Sequence, residues 1–68
     1  MSDSVYKIVE VIGSSPESWE AAATAAIERA SKSLRDLRIA EVVDQDIKIE
    51  DGKVVAFRTK VRLSFKFE

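Results

Sequence analysis

KVVAFRTKVRLSFKFE, residues 53–68, alternates almost without interruption: Val55, Phe57, Thr59, Val61, Leu63, Phe65 and Phe67 fall on one side, Arg58, Lys60, Arg62 and Lys66 on the other. A period of two predicts one long strand with an apolar face and a cationic face. A chain of 68 residues has little other material with which to cover both. At this size a single core is barely sufficient, so the strand predicts completion by association with further copies.

Upstream, VYKIVEVI at 5–12 is rich in β-branched residues and meets Gly13, which predicts a first strand ending there. A helix-start signal follows. Ser15 suits the N-cap, Pro16 the first helical position, and Glu17 and Glu20 place negative charge at the positive end of the helix dipole. From residue 16 to about 37 there is no Gly or further Pro, and Trp19, Ala23, Ala26, Ala30, Leu34 and Leu37 recur at spacings of three and four. The expectation is one helix of roughly 20 residues, about 30 Å long. Its alanine stripe allows close approach to a sheet, and Trp19 is expected to plug one end of that core.

RIAEVVDQDIKIE at 38–50 alternates again, with Ile39, Val43, Ile47 and Ile49 opposed to Asp44, Asp46 and Lys48, and predicts a second strand. Glu50, Asp51 and Gly52 connect it to the final strand. A two-residue turn at Asp51 and Gly52 would set Asp46 against Phe57. A three-residue loop with Gly52 in the left-handed region instead sets Ile47 against Val55, Val43 against Thr59 and Asp44 against Arg58, and is the predicted connection.

The predicted order is therefore strand, helix, strand, strand, an α+β domain over residues 1–68. A right-handed crossover makes the first two strands parallel, with the third between them and antiparallel to both. One helix covers one face. The other carries Asp44, Asp46, Arg58, Lys60 and Arg62, and the open strand edges predict a closed symmetric oligomer.

Eleven basic and twelve acidic residues leave a formal charge of −1, without the cationic excess that condenses onto nucleic acid. No apolar run approaches the roughly 18 residues of a membrane span, and the first residues lack the features of a secretion signal. A cytoplasmic protein without nucleic-acid or membrane partners is expected. Cysteine and histidine are both absent, which removes thiolate and imidazole metal sites and the usual nucleophile–base dyads. With neither an activated nucleophile nor a base poised near neutrality, an enzyme is not expected.

The segments VYKIVEVIGSSPESWEAA, SLRDLRIAEV and GKVVAFRTKVRLSFKFE together resemble the dodecins over essentially the whole chain. That resemblance implies a hollow homododecameric shell, helices outside and sheets inside, that stores or sequesters a small ligand. Flavin, FMN or riboflavin, is the ligand it implies, held as stacked pairs at a twofold interface. The family's clamp is a Trp before the Glu-Val segment and a Gln on the last strand. Here Ile39 and Arg58 occupy those two positions, and Gln45 joins them as a cofactor-binding candidate. Isoleucine offers no π-face for an isoalloxazine, and arginine, with donors only, cannot reproduce an amide's paired donor and acceptor.

Other groupings carry structural and functional readings side by side. Arg29, Lys32 and Arg35, at intervals of three, form a basic ridge that complements the helix C-terminus. The resemblance also implies coenzyme A phosphates near it, making Arg29, Lys32 and Lys66 the phosphate candidates. Asp44, Asp46, Glu50 and Asp51 do not follow the order of a calcium-binding loop, and ion pairing with Arg58 and Lys60 is expected of them. On a symmetry axis Asp44 would become a ring of carboxylates for calcium or magnesium. Arg58 is expected to pair with Asp44, or else to turn a neutral flavin site into one for anions.

Overall fold

The computed structural model describes residues 3–66. β1 (Tyr6–Ser15), α1 (Trp19–Ala30), β2 (Leu37–Glu50) and β3 (Lys53–Lys66) follow in chain order. The three strands form one sheet in the order β1-β3-β2, both pairings antiparallel. The predicted architecture is the one found. Phe67, assigned from its alternation to the apolar face of the last strand, lies outside the described residues.

Both ends of the helix differ from expectation. β1 does not stop at Gly13; it pairs with β3 as far as Ser15 opposite Phe57, so Ser15 is committed to the sheet. The cap is Ser18, whose Oγ accepts the Ala21 N–H at 2.9 Å, while Ser15 Oγ accepts the Glu17 N–H at 3.0 Å. At the other end the helix closes at Ala30 and spans 12 residues, not about 20. Ser31 Oγ donates to the Glu28 carbonyl at 2.8 Å, and the N–H groups of Lys32 and Ser33 turn back to Arg29 and Ala30. Hydroxyls bonding to nearby carbonyls compete with helix propagation. Asp36, at φ 58°, then redirects the chain into β2. Of the expected ridge Arg29, Lys32 and Arg35, only Arg29 is helical.

The β2–β3 connection is also a correction. Glu50 pairs with Lys53, and Asp51 and Gly52 lie between them at φ 51° and 74°. This is a two-residue turn with both central residues left-handed, the form that matches strand twist. The mismatch that argued for three residues is removed by a bulge instead. Val54 pairs with Ile49 and Ala56 with Lys48, leaving Val55 as the extra residue, so Ile47 meets Phe57 and Asp46 meets Arg58. The expected pairs of Ile47 with Val55, Val43 with Thr59 and Asp44 with Arg58 do not form.

Val61 and Leu63 of β3 are fully buried against Ala26 of the helix, with Val9, Val11, Ala23, Ile27, Ala30 and Leu37 around them, and Ala22 is fully buried as well. Ala23, Ala26 and Ala30 belong to the predicted stripe, and Leu37 joins the core as the first residue of β2. Thr59, also fully buried, donates its hydroxyl to the Trp19 carbonyl at 2.9 Å. Trp19, expected to plug one end of the core, is half-buried and stands edge-on to Phe57 at 5.1 Å between ring centroids.

The helix rests on β1 and β3 and barely reaches β2. Beyond it the β2–β3 hairpin projects as an arm with Ile47, Ile49, Val54 and Val55 exposed. The chain measures 55 × 20 × 14 Å with a radius of gyration of 14.2 Å. A compact chain of this length would have about 11 Å.

Candidate functional site: the helix-free face of the sheet

Residues that pair in register share a face, so the two ladders define the helix-free side directly. Ser14, Arg58 and Asp46 form one row; Ile12, Lys60 and Asp44 the next; Glu10, Arg62 and Glu41 a third; Ile8, Ser64 and Ile39 a fourth. Cations run down the central strand and carboxylates flank them.

Two of these rows are closed by ion pairs. Arg58 donates to both carboxylate oxygens of Asp46, Nε to Oδ1 at 2.6 Å and Nη2 to Oδ2 at 2.7 Å. Arg62 donates to Glu10 Oε2 at 2.8 and 3.1 Å and reaches Glu41 Oε1 at 3.6 Å on the other side. The central arginine thereby ties both outer strands together. Hydrogen bonding from these guanidiniums holds the carboxyls of Asp46 and Glu10 below their ordinary values, with Coulombic help from Lys60.

Lys60 and Asp44 complete the middle row. Asp44 Oδ1 accepts its neighbour Gln45's backbone N–H at 3.0 Å and, contrary to expectation, is not the partner of Arg58. Ile12, Asp44, Asp46, Arg58 and Lys60 enclose a cavity of about 140 Å³. A larger apolar groove of about 430 Å³ lies on the opposite side, between β1 and the helix, with Arg29 and Ser33 among its lining.

Simple alternation sets Ile39 and Arg58 on opposite faces, but β2 carries an extra residue at Val43, between the pairs Val42–Val61 and Asp44–Lys60. This bulge reverses the parity and brings Ile39 to the face of Arg58. They are not brought together: their register positions on β3 are six residues apart, about 20 Å along a strand. Ile39 is 65% exposed and also borders a cavity of about 240 Å³ with Ile27, Leu37 and Leu63.

Gln45 stands opposite Thr59 and therefore on the helix side, away from Arg58. Arg29 lies in the last helical turn, Lys32 in the turn after it, and Lys66 at the end of β3 opposite Tyr6. None of the three has an ion pair among the described residues. Glu10 and Glu41 escaped the sequence reading. Glu10 is the polar position in an otherwise apolar alternation from Ile8 to Ile12, a signal that needs the β1–β3 register before Arg62 can be named as its partner.

No group of three carboxylates within the described residues is placed to hold a metal ion. The flavin clamp that the resemblance implies does not fit Ile39 and Arg58. Ile39 has no ring, and Arg58 has donors alone, already engaged by Asp46.

A single helix laid over two strands of a three-stranded antiparallel sheet, with a charged helix-free face, defines a small α+β protein of β-α-β-β order. The family model for dodecin matches residues 5–68, and the chain belongs to the dodecin family. It is 44% identical over 63 residues to the calcium dodecin of Mycobacterium tuberculosis, covering 93% of this chain and 89% of that one. With the dodecin of Thermus thermophilus it shares 39% over 64 residues, 94% of this chain and 93% of the other. Among solved structures, Streptomyces coelicolor dodecin superposes with a TM-score of 0.92 at 38% identity, covering 100% of this chain and 97% of that chain. The M. tuberculosis calcium dodecin, described as calcium chelating with a novel calcium-binding site, superposes at 0.84 with 45% identity, covering 94% and 91%.

Proposed function

We propose that this chain is a non-catalytic cytoplasmic protein whose copies close into a hollow homododecamer and store a small ligand against the helix-free face. The observation that carries this reading is the separation of Ile39 from Arg58. They share a face but lie about 20 Å apart in one chain, so a site that uses both draws them from different copies. The shape supports association as well. The accessible surface of 5252 Å² exceeds the about 4,300 Å² expected of a compact monomer of this mass. The exposed apolar residues of the arm, Ile47, Ile49, Val54 and Val55, contribute to it.

Flavin is the family ligand, and the substitutions at Ile39 and Arg58 disfavour it here. A second reading has its own support. The similarity to a calcium dodecin favours a cation such as calcium or magnesium, with Asp44 carboxylates contributed by several copies. Phosphate-bearing ligands such as coenzyme A would instead use Arg29, Lys32 and Lys66. An enzymatic role has no support, since the chain has no histidine or cysteine and the shifted carboxyls move down, away from neutrality.

Native mass and ligand titration test the proposal together. A twelve-subunit mass is expected, and a stable single subunit in dilute solution refutes it. Quenching of riboflavin fluorescence on adding protein supports flavin storage, whereas calcium or coenzyme A retained by a flavin-unresponsive particle supports the second reading. Ile39→Trp with Arg58→Gln should create or tighten flavin binding in an intact particle. If it does not, these are not the clamp positions.

A further inference from the structure

Arg58 is the residue that would make this face a receptor for anions, yet its guanidinium is already occupied. Asp46 takes Nε and Nη2 at 2.6 and 2.7 Å through both of its carboxylate oxygens, the parallel fork in which such pairs are strongest. A phosphate presented to the same nitrogens would have to displace that carboxylate.

Two further features hold Asp46 there. The Val55 bulge shifts the register so that Asp46 stands opposite Arg58; with the same turn and no bulge it would stand opposite Phe57. From the other side of the sheet, the Trp19 indole N–H donates to the Asp46 carbonyl at 3.1 Å, and the indole is braced edge-on against Phe57. Backbone and side chain are thus fixed by different partners. Fixing one side of a charge pair in advance lowers the ordering cost of forming it and raises the cost of replacing it.

The surroundings do not restore an anion site. The cavity beside the pair is lined by two carboxylates, Asp44 and Asp46, against two cations, Arg58 and Lys60, with Ile12 as its apolar wall. Lys60 lies within electrostatic reach of both Asp46 and Glu10.

We infer that Asp46 is a specificity-determining residue that masks Arg58, so that this face accepts uncharged or cationic ligands and turns away phosphate-bearing anions at this point. The inference rests on reading the helix-free face as the ligand wall. It also bears on restoring flavin: Arg58→Gln leaves Asp46 without its partner, so a neutral residue at 46 should tighten flavin binding further in the Ile39→Trp, Arg58→Gln background.

The test uses inorganic pyrophosphate titrated calorimetrically into the assembled protein, in the wild type, Asp46→Ala, Arg58→Ala and the double variant. Removing the mask should raise pyrophosphate affinity about tenfold, the increment of one charge-assisted hydrogen bond. The gain should vanish in the double variant. Asp44→Ala removes the same charge from the same cavity without freeing the guanidinium, so an equal gain there overturns the mask. So does no gain in Asp46→Ala, or a gain that survives Arg58→Ala. If Asp46→Ala fails to assemble, Asp46→Ser serves in its place. FMN and riboflavin differ by one phosphate and form a second arm: their affinity ratio should shift toward FMN by the same factor. A pyrophosphate gain with no binding of either flavin leaves the mask standing and removes flavin from the proposed function.

Discussion

Gly13→Ala should destabilise this protein more than any other one-carbon change in the sheet, because the helix backbone occupies the space its side chain would need. A Cβ at Gly13 would lie 1.9 Å from the Ala22 carbonyl oxygen, 2.8 Å from its carbon and 3.0 Å from the Ala26 Cβ. Ordinary contact begins at 3.4 Å, so the helix would have to lift by about 1.5 Å, the difference between the two distances. A gap of even 0.5–1 Å forfeits a quarter to a half of a packing contact's energy. The residues that would separate are Ala22 and Ala26, and with Ala26 part of the cover over Val61 and Leu63. Forced overpacking costs about 1–3 kcal/mol and occasionally more, and a clash with backbone places this case near 3. The whole domain should hold roughly 3–10 kcal/mol at ordinary per-residue stability, so the change removes a large share of it. Urea unfolding at fixed protein concentration is the assay, since association contributes to apparent stability. Gly52→Ala is the internal control. A methyl group there would meet nothing within 4 Å, but φ is +74°, and the cost should be about 1 kcal/mol from backbone conformation alone. A Gly13→Ala protein within about 0.5 kcal/mol of wild type would refute the close approach of helix to β1.

Thr59→Val should cost about 1 kcal/mol in the same assay, because it removes the buried hydroxyl that caps the Trp19 carbonyl while keeping the side-chain volume. Acid should weaken the sheet. Asp46 and Glu10 are held below their ordinary values of 3.8 and 4.5, so their contribution is complete above those values and is lost as pH falls through the lower folded values. Unfolding midpoints measured between about pH 6 and 2.5 should therefore fall less steeply in Asp46→Asn with Glu10→Gln than in wild type. Ile49→Lys, at a 63% exposed position on the projecting arm, should shift the assembly to smaller species by light scattering with the subunit's helix content unchanged.

Topology was legible from the alternation in residues 53–68 because a half-buried antiparallel strand enforces it, and the buried trio Thr59, Val61 and Leu63 falls on the predicted side. The helix boundaries were less so. Ser15 and Ser18 are both competent caps, and only the length of the β1–β3 ladder decides between them. At the far end Ser31 and Ser33 were a visible stop signal, outweighed in the periodicity by Leu34 and Leu37, neither of which is helical. Gly13 read as a terminator because its need for empty space arises from Ala22, a residue on another element. Bulges were invisible for a related reason. The parity conflict between Asp46 and Phe57 was detectable, but a longer loop and an extra strand residue resolve it equally well on paper. The backbone chose the turn that matches strand twist and placed the irregularity at Val55.

The same irregularities explain how one short strand set divides its work. The bulge at Val43 puts Ile39 on the face of the charged rows, and the one at Val55 puts Asp46 on Arg58, so both depart from alternation where the candidate site is built. Within that face, Arg58 and Arg62 find carboxylates in their own chain, from Asp46, Glu10 and Glu41. Few of its charges are left over for a neighbour to neutralise. What the chain leaves uncovered is apolar: Ile47, Ile49, Val54 and Val55 on the arm, and the groove between β1 and the helix. In the proposed assembly, association between copies is driven by burying hydrocarbon, which salt does not screen, while the proposed choice of ligand rests on exposed ion pairs, which salt does screen. The arm residues and the ion-paired residues are different, although Ile8, Ile12 and Ile39 also expose hydrocarbon on the charged face. In the proposed assembly a substitution at Asp46 should therefore retune what is held without removing the apolar arm contacts that close the particle.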